Sequence, residues 1–220
     1  MPIGLLIPAL GFAVADWVAV ARDNKRAEYF LKPATMGALL VAAAVIGSEA
    51  PDRQLWGILA ALVFSTIGDV FLMLPRDYFL HGLAAFLIAH ICYVVALFGL
   101  PQGSDVQLAG PAIGIGLFGV LIYLRLLRGM RDTGKTGFAL PVLAYALAIT
   151  AMWVSAASTL DQGNFPRGSA WAAYWGAGLF VLSDSLIGYT RFVRAERWAP
   201  LAIIVTYHLG QTGLVLSLAR

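Results

Sequence analysis

The stretch QLWGILAALVFSTIGDVFLMLPRDYFLHGLAAFLIAHICYVVALFG, residues 54–99, decides the fold class. It consists of two apolar runs, 54–74 and 79–99, joined by Pro75-Arg76-Asp77-Tyr78. Each run has the roughly 20 residues that an α-helix needs to cross the hydrocarbon core of a bilayer. Neither shows the period-two alternation of a membrane β-barrel, the other structure that satisfies its own backbone in lipid. Reading outward adds six runs of the same kind, at 3–21, 33–48, 108–124, 138–159, 171–190 and 198–218. The expectation is an all-α polytopic membrane protein, one transmembrane domain over residues 1–220, built as a bundle of about eight helices.

Composition points the same way. Of 220 residues 60% are hydrophobic and 12% charged, with a mean hydropathy of +0.80. A soluble domain carries about 25% charged residues to clothe its surface. Cys92 is the sole cysteine, so neither an intrachain disulfide nor a cysteine-based zinc cluster can form. A net charge of +3 does not indicate nucleic acid, because the basic residues sit in short loops between apolar runs. Ala13-Val14-Ala15 resembles a signal cleavage site. Nothing basic precedes it, and Asp16-Trp17 lead into further apolar sequence, so the run is read as a retained first helix.

The loops give an orientation. Twelve of the fifteen Lys and Arg residues fall in the segments 22–32, 75–78, 125–137 and 191–197, all on one side. Basic loops stay cytoplasmic. Both termini and the loops near 49–53, 100–107 and 160–170 are therefore expected outside, in a multi-pass protein of the cell membrane. Lys32-Pro33 reads as the opening of the second helix, since proline suits a first turn.

Charged groups at bilayer depth cost at least about 2.5–3.5 kcal/mol each, so the few that are kept deserve a function as their first explanation. They are Asp16, Asp69, His90, Asp184 and His208, with Tyr93, Tyr145, Tyr207 and Gln211 as softer members. Asp16, Asp69 and Asp184 lie toward the inner ends of their runs, beside Lys32 and His81. Tyr145 lies about two turns in, and the other two histidines are nearer mid-depth. One shared polar cavity open to the inner leaflet accounts for this clustering. Ser65 and Thr66 precede Asp69 by four and three residues and so share its helix face. Ser183 and Ser185 flank Asp184, while Tyr207 and Gln211 stand one turn apart beside His208. The bland alternatives are an Asp16 paired with Arg22 or Lys25, and histidines hydrogen-bonded between helices. Trp56, Trp171 and Trp198 read as interfacial anchors.

A four-plus-four internal repeat is also read here. Gly68-Asp69 pairs with Ser183-Asp184, His90 with His208, and Lys32-Pro33 with Lys135 and Pro141.

No nucleophile elbow, phosphate-binding loop or paired-histidine zinc motif is present. A zinc site of His plus Asp is the weaker reading, and no cofactor is expected. Two intramembrane carboxyls remain. A carboxyl in a low-dielectric site is hard to ionise and serves as a general acid, while a more polar partner activates water or stabilises a cation. Spacing alone leaves two classes open, an acid–base hydrolase and a proton-coupled carrier.

Lys32-Pro33, the run Ser65-Thr66-Ile67-Gly68-Asp69, His81-Gly82 through His90 and Tyr93, and Leu182-Ser183-Asp184-Ser185 followed by Tyr207-His208 resemble, in order along the whole chain, the lysoplasmalogenase or YhhN-like family. The resemblance implies hydrolysis of the vinyl ether bond of lysoplasmalogens, giving a fatty aldehyde and a glycerophospho-alcohol such as glycerophosphocholine or glycerophosphoethanolamine. It also implies a lysophospholipid substrate drawn from membrane lipids. It carries Asp69 and Asp184 as catalytic carboxyls, with Lys32, His81, Tyr145 and His208 following. On this reading Asp69 is the acid, because its sequence neighbours are more apolar, and Asp184 the base. His208 or Tyr145 relays protons or orients water. Ser65, Thr66, His90, Ser183 and Tyr207 complete the substrate site, and Lys32 with Arg191 or Arg76 holds the lipid phosphate. The rivals are a proton-coupled transporter of a small or lipid-like solute and a zinc-dependent lipid amidase.

Overall fold

In the computed structural model, residues 3–99, 106–163 and 165–220 are described. They form eight α-helices: α1 (Leu6–Ala21), α2 (Lys25–Ile46), α3 (Asp52–Met73), α4 (Phe79–Leu97), α5 (Val106–Asp132), α6 (Ala139–Ser158), α7 (Arg167–Phe192) and α8 (Ala199–Leu216). Short 3₁₀ turns join several of them. Most of the turn expected at 100–107 lies outside the described residues.

Six of the helices (α2, α3, α4, α5, α6 and α8) are long and apolar enough to cross a membrane. Of the other two, α1 is shorter at 16 residues. The 26-residue α7 carries Tyr174, Ser183, Asp184 and Ser185 within its apolar run. This is a multi-pass membrane protein. Its pattern is that of a lipid-facing surface: Ile7, Leu10, Val14 and Val18 of α1 point outward, while Leu6, Ala9, Ala13 and Asp16 are buried. Small residues inside let the helix backbones approach where hydrophobicity alone offers no drive between helices.

Two helix boundaries correct the sequence reading. Lys32-Pro33 does not open α2; the helix starts two turns earlier at Lys25, and Pro33 lies within it. Asn24 caps that start by accepting from the Ala27 N–H at 3.2 Å, which supplies the initiation signal assigned to Pro33. The second correction is α5, which runs on to Asp132 and so carries Arg125, Arg128 and Arg131 on helix rather than loop. Basic residues end an apolar span without ending a helix, because their long stems lie along the protein while the charges reach water.

The most extensive pairs are α3 with α4, α7 with α8, and α1 with α2. A ring of α1, α2, α3, α4, α6, α7 and α8 encloses the core, and α5 leans from outside on α6 and α7. The first and second four helices are not packed identically: α1 packs on α8, but among the described residues α5 makes no comparable contact with α4. A cavity lined by both α4 and α5 residues lies there.

The α7–α8 seam is tight along three glycines, Gly176, Gly210 and Gly213. A Cβ on Gly210 would sit 2.9 Å from both the Gly176 carbonyl oxygen and the Phe180 nitrogen, and one on Gly176 would sit 2.8 Å from the Leu214 nitrogen. These are backbone atoms and cannot swing aside. Gly210→Val is expected to destabilise the protein by about 1–3 kcal/mol or more through overpacking. The check is the thermal unfolding midpoint in detergent, with the exposed Gly11→Ala, which meets nothing within 4 Å, as the neutral control.

Candidate active site

Asp184 sits on α7 with a side chain 6% exposed. Its Oδ2 accepts the Tyr145 hydroxyl of α6 and lies 3.2 Å from Nε2 of His90 on α4. His90 Nε2 is also 2.9 Å from the Tyr145 oxygen. Since Tyr145 donates to the carboxyl, its oxygen receives the His90 N–H, and the three groups close into a ring. His90 Nδ1 faces the Met152 sulfur at 3.3 Å. Among the described residues, Asp184 Oδ1 is buried without a partner.

A narrow cavity of about 440 Å³ opens from this cluster toward the basic end of the bundle. Leu72, Phe79, Leu83 and Phe86 wall one side, Leu126 of α5 and Val142 of α6 another. The α7 wall is Asp184, Ile187, Gly188 and Phe192, a stripe at i, i+3, i+4 and i+8 that puts all four on one helix face. Asp184 and Tyr145 are the polar residues of an otherwise apolar lining.

Asp69 lies in a second cluster. Its Oδ1 pairs with Lys32 Nζ at 3.0 Å, and its Oδ2 accepts the Tyr207 hydroxyl at 2.6 Å. The carboxyl side chain is 2% exposed, and it does not line the cavity. Phe86 and Phe180 stand between the clusters, packed edge to face with centroids 6.0 Å apart. Tyr207 rests on both rings, and His90 rests on Phe180 from the other side at 4.9 Å. The single polar cavity expected from sequence is thus two partner sets divided by an aromatic wall.

The two sets are built alike. Asp69 of α3 takes partners from α2 and α8, and Asp184 of α7 takes partners from α6 and α4. Tyr93 of α4 and Gln211 of α8, each three residues beyond a histidine, meet in a hydrogen bond between the halves.

The remaining candidate residues lie elsewhere. His208 is buried, accepts from Trp17 Nε1 at its Nδ1 (3.2 Å), and does not line the cavity. Ser65 is buried with no partner among the described residues. Thr66 turns back to the Leu62 carbonyl, and Ser183 donates to the Ile203 carbonyl. His81 is exposed against Phe71 and Tyr78, away from both carboxyls. Arg191 pairs with Asp77 at 2.5 Å. Asp16 is fully buried and, among the described residues, bonded neither to Arg22 nor to Lys25, whose ammonium goes to Glu28. Sequence reasoning missed Trp17, Asp77 and the Phe86–Phe180 wall. An aromatic residue in an apolar run carries no sign of which neighbour it divides from which.

The chain is 35% identical over 167 residues to the mouse protein named lysoplasmalogenase TMEM86B, covering 75% of this chain and 64% of that one. The Mycobacterium bovis lysoplasmalogenase is 33% identical over 181 residues, 79% of this chain and 64% of its own length. Human lysoplasmalogenase TMEM86B is 36% identical over 161 residues, 73% and 62% respectively. The chain therefore spans a little under two thirds of these relatives. No solved structure matches it. The family model described as the YhhN family matches residues 27–218, which include Asp69 and Asp184 with the side chains bonded to each; the chain belongs to the YhhN family.

Proposed function

We propose that this protein is a membrane-embedded hydrolase that cleaves the vinyl ether bond of lysoplasmalogens, with Asp184 as the general acid and then the base. The observation that carries the role is the buried, unpartnered Oδ1 of Asp184 at the end of an apolar cavity, beside an Oδ2 held by Tyr145 and His90. The names of the relatives in mouse, Mycobacterium bovis and human support the substrate class.

A vinyl ether is activated by proton transfer to its β-carbon. Asp184 delivers that proton from Oδ1, the C=C π pair forms the new C–H bond, and the adjacent carbon becomes part of an oxocarbenium ion. The carboxylate left behind stabilises the cation in a water-poor site. Water then adds to the cationic carbon and gives its proton to Asp184. The hemiacetal collapses, its hydroxyl proton passing to the departing glycerol oxygen, and aldehyde and alcohol leave with the acid restored. Carbon protonation is slow, so a positioned, undissociated acid is what such a site must supply.

The geometry supports a different assignment from the one that apolar neighbours suggested, with Asp184 in both roles. Both oxygens of Asp69 are occupied, by a cation and by a phenol, and it stands behind the aromatic wall. We assign Asp69 a positioning role: with Lys32 it fixes Tyr207, which props Phe86 and Phe180 against the cavity and His90.

The orientation is part of this proposal: the cell membrane, both termini outside, basic loops within. Lys32 leaves the count of loop charges because it lies inside the bundle, but eleven of the other Lys and Arg residues still lie on one side.

The test is purified protein in detergent, without any gradient, given lysoplasmenylcholine in deuterated water. Free aldehyde carrying one solvent deuteron on the carbon beside its carbonyl is expected. Intact substrate after prolonged incubation, with uptake of the lipid into sealed vesicles, would favour a carrier instead. Tyr145→Phe, which leaves Asp184 held by His90 alone, is expected to lower kcat by about ten- to a hundredfold, the value of a hydrogen bond to an ionising group.

A further inference from the structure

Around α1 and α2 the bundle is one cation short. Asp16 of α1 is 0% exposed, and neither of its oxygens has a partner among the described residues. The charges that reach it are, from strongest to weakest, those of Lys32, Glu28, Asp69 and Lys25. Two ammonium groups thus face three carboxyls. Both are already committed, Lys25 to Glu28 at 2.9 Å and Lys32 to Asp69 at 3.0 Å. On α8, Tyr207 gives its hydroxyl to Asp69. His208 accepts the Trp17 N–H at Nδ1. An imidazolium has no nitrogen left to accept with, so His208 is neutral and brings no cation. Asp184 lies beyond the aromatic wall with partners of its own. An unpaired carboxylate sealed in an apolar interior is costly enough that such a group takes a proton instead. In the arrangement seen here that proton falls to Asp16, because Asp69 holds the ammonium.

We propose that Asp16, Lys32 and Asp69 form a buried proton-binding site, two carboxyls that share one proton and one ammonium. The site is separate from the Asp184 acid and does not rest on the vinyl ether reading. Its two carboxyls exchange roles: when Lys32 turns from Asp69 to Asp16, the proton passes the other way and the total charge is unchanged. Lys32 suits this exchange, being a compact charge on a flexible stem. The next residue, Pro33, has no N–H to tie that turn of α2 back to the Tyr29 carbonyl. Solvent is one carboxyl away. Glu28 reaches Asp16, and with Lys25, Tyr29, Leu72 and Met73 it also lines a cleft of about 620 Å³ at the basic end. Because Tyr207 hangs on Asp69 and rests on Phe86 and Phe180, the partner that Lys32 holds is felt at the aromatic wall.

The experiment is infrared spectroscopy of the full chain in detergent at neutral pH, with a heavy carbon isotope in the aspartate side-chain carboxyls. The protonated-carboxyl band of wild type is expected to contain a component that Asp16→Asn removes and Asp184→Asn leaves in place. Asp69→Asn should remove the same component, because Lys32 then pairs with Asp16 and the shared proton leaves. Asparagine keeps the carboxyl's shape, and Asp16 gives up no bonded partner, so the first variant is expected to fold. A component that persists in Asp69→Asn marks a solitary acid and overturns the sharing. A wild-type band without an Asp16 component overturns the site. An Asp69→Asn chain that fails to fold, where Lys32→Met/Asp69→Asn folds, shows an ammonium that found no second carboxyl, and overturns it as well. Unfolding gives an independent reading. Above about pH 4 the unfolded chain has released this proton, while the native protein keeps it. Stability should therefore fall as pH rises, by about tenfold in the unfolding constant per pH unit for one proton, until the native protein releases it too. The slope for Asp16→Asn should be smaller by that one proton, and equal slopes would overturn the proposal.

Discussion

Purified Asp184→Asn protein is expected to release aldehyde about a thousandfold more slowly than wild type, with its unfolding midpoint little changed. The substitution keeps the shape of the side chain, and an amide oxygen can still accept from Tyr145 at the Oδ2 position. It removes the transferable proton at the carboxyl oxygen that is left without a partner among the described residues. Nothing nearby replaces it: Tyr145 is a far weaker acid, and His90 reaches the cavity only through Tyr145 and Asp184. The loss should appear in kcat, while the affinity for a non-cleavable ether lipid stays within about threefold, because an acid that acts at the reacting carbon contributes to the transition state more than to binding. Retention of more than a tenth of the wild-type turnover would show that the proton comes from another group.

The second large effect concerns Lys32. Lys32→Met leaves Asp69 buried without its counter-ion, and breaking a buried ion pair from one side typically costs about 3–5 kcal/mol. The expected result is a sharply lowered unfolding midpoint and poor yield. Removing both charges is expected to behave differently. In the Lys32→Met/Asp69→Asn double variant no charge is stranded, and Tyr207 can still donate to the amide oxygen. Stability should largely return, and turnover should stay within about tenfold of wild type, since replacing both members of a buried pair is often close to neutral. A stable double variant as inactive as Asp184→Asn would mean that Asp69 takes part in the chemistry, as the sequence had suggested.

Much of the fold was visible in the sequence, because twenty-residue apolar runs between basic turns are dictated by bilayer thickness. The starts and ends were less visible for a reason seen at α2 and α5. The sequence marks where lipid contact stops, whereas a helix stops where its backbone bonding stops. Lys32 was read as a loop charge on that account, and it is a largely covered helix residue paired with Asp69. The polar residues of the site were all legible as residues out of place in hydrocarbon. Their division into two partner sets was not, since it depends on which helices touch. The sparse α4–α5 contact among the described residues, beside the cavity at Asp184, with α1 closing on α8 on the other side, leaves no local mark in composition. Asp77 was overlooked because an acid in a short interfacial turn looks like any solvated charge, and only the Arg191 that folds back to it gives it a role.

The partners of each carboxyl also bear on biogenesis. The chain is made from its N-terminus, and His90 and Tyr145 both precede Asp184, so that acid enters the membrane with its companions already there. Asp69 is less fortunate: Tyr207 is synthesised 138 residues after it. What Asp69 does find on arrival is Lys32, one helix earlier. The ion pair therefore serves first as an escort, neutralising an acidic helix during insertion while the ribosome is still far from the segment that will complete the fold.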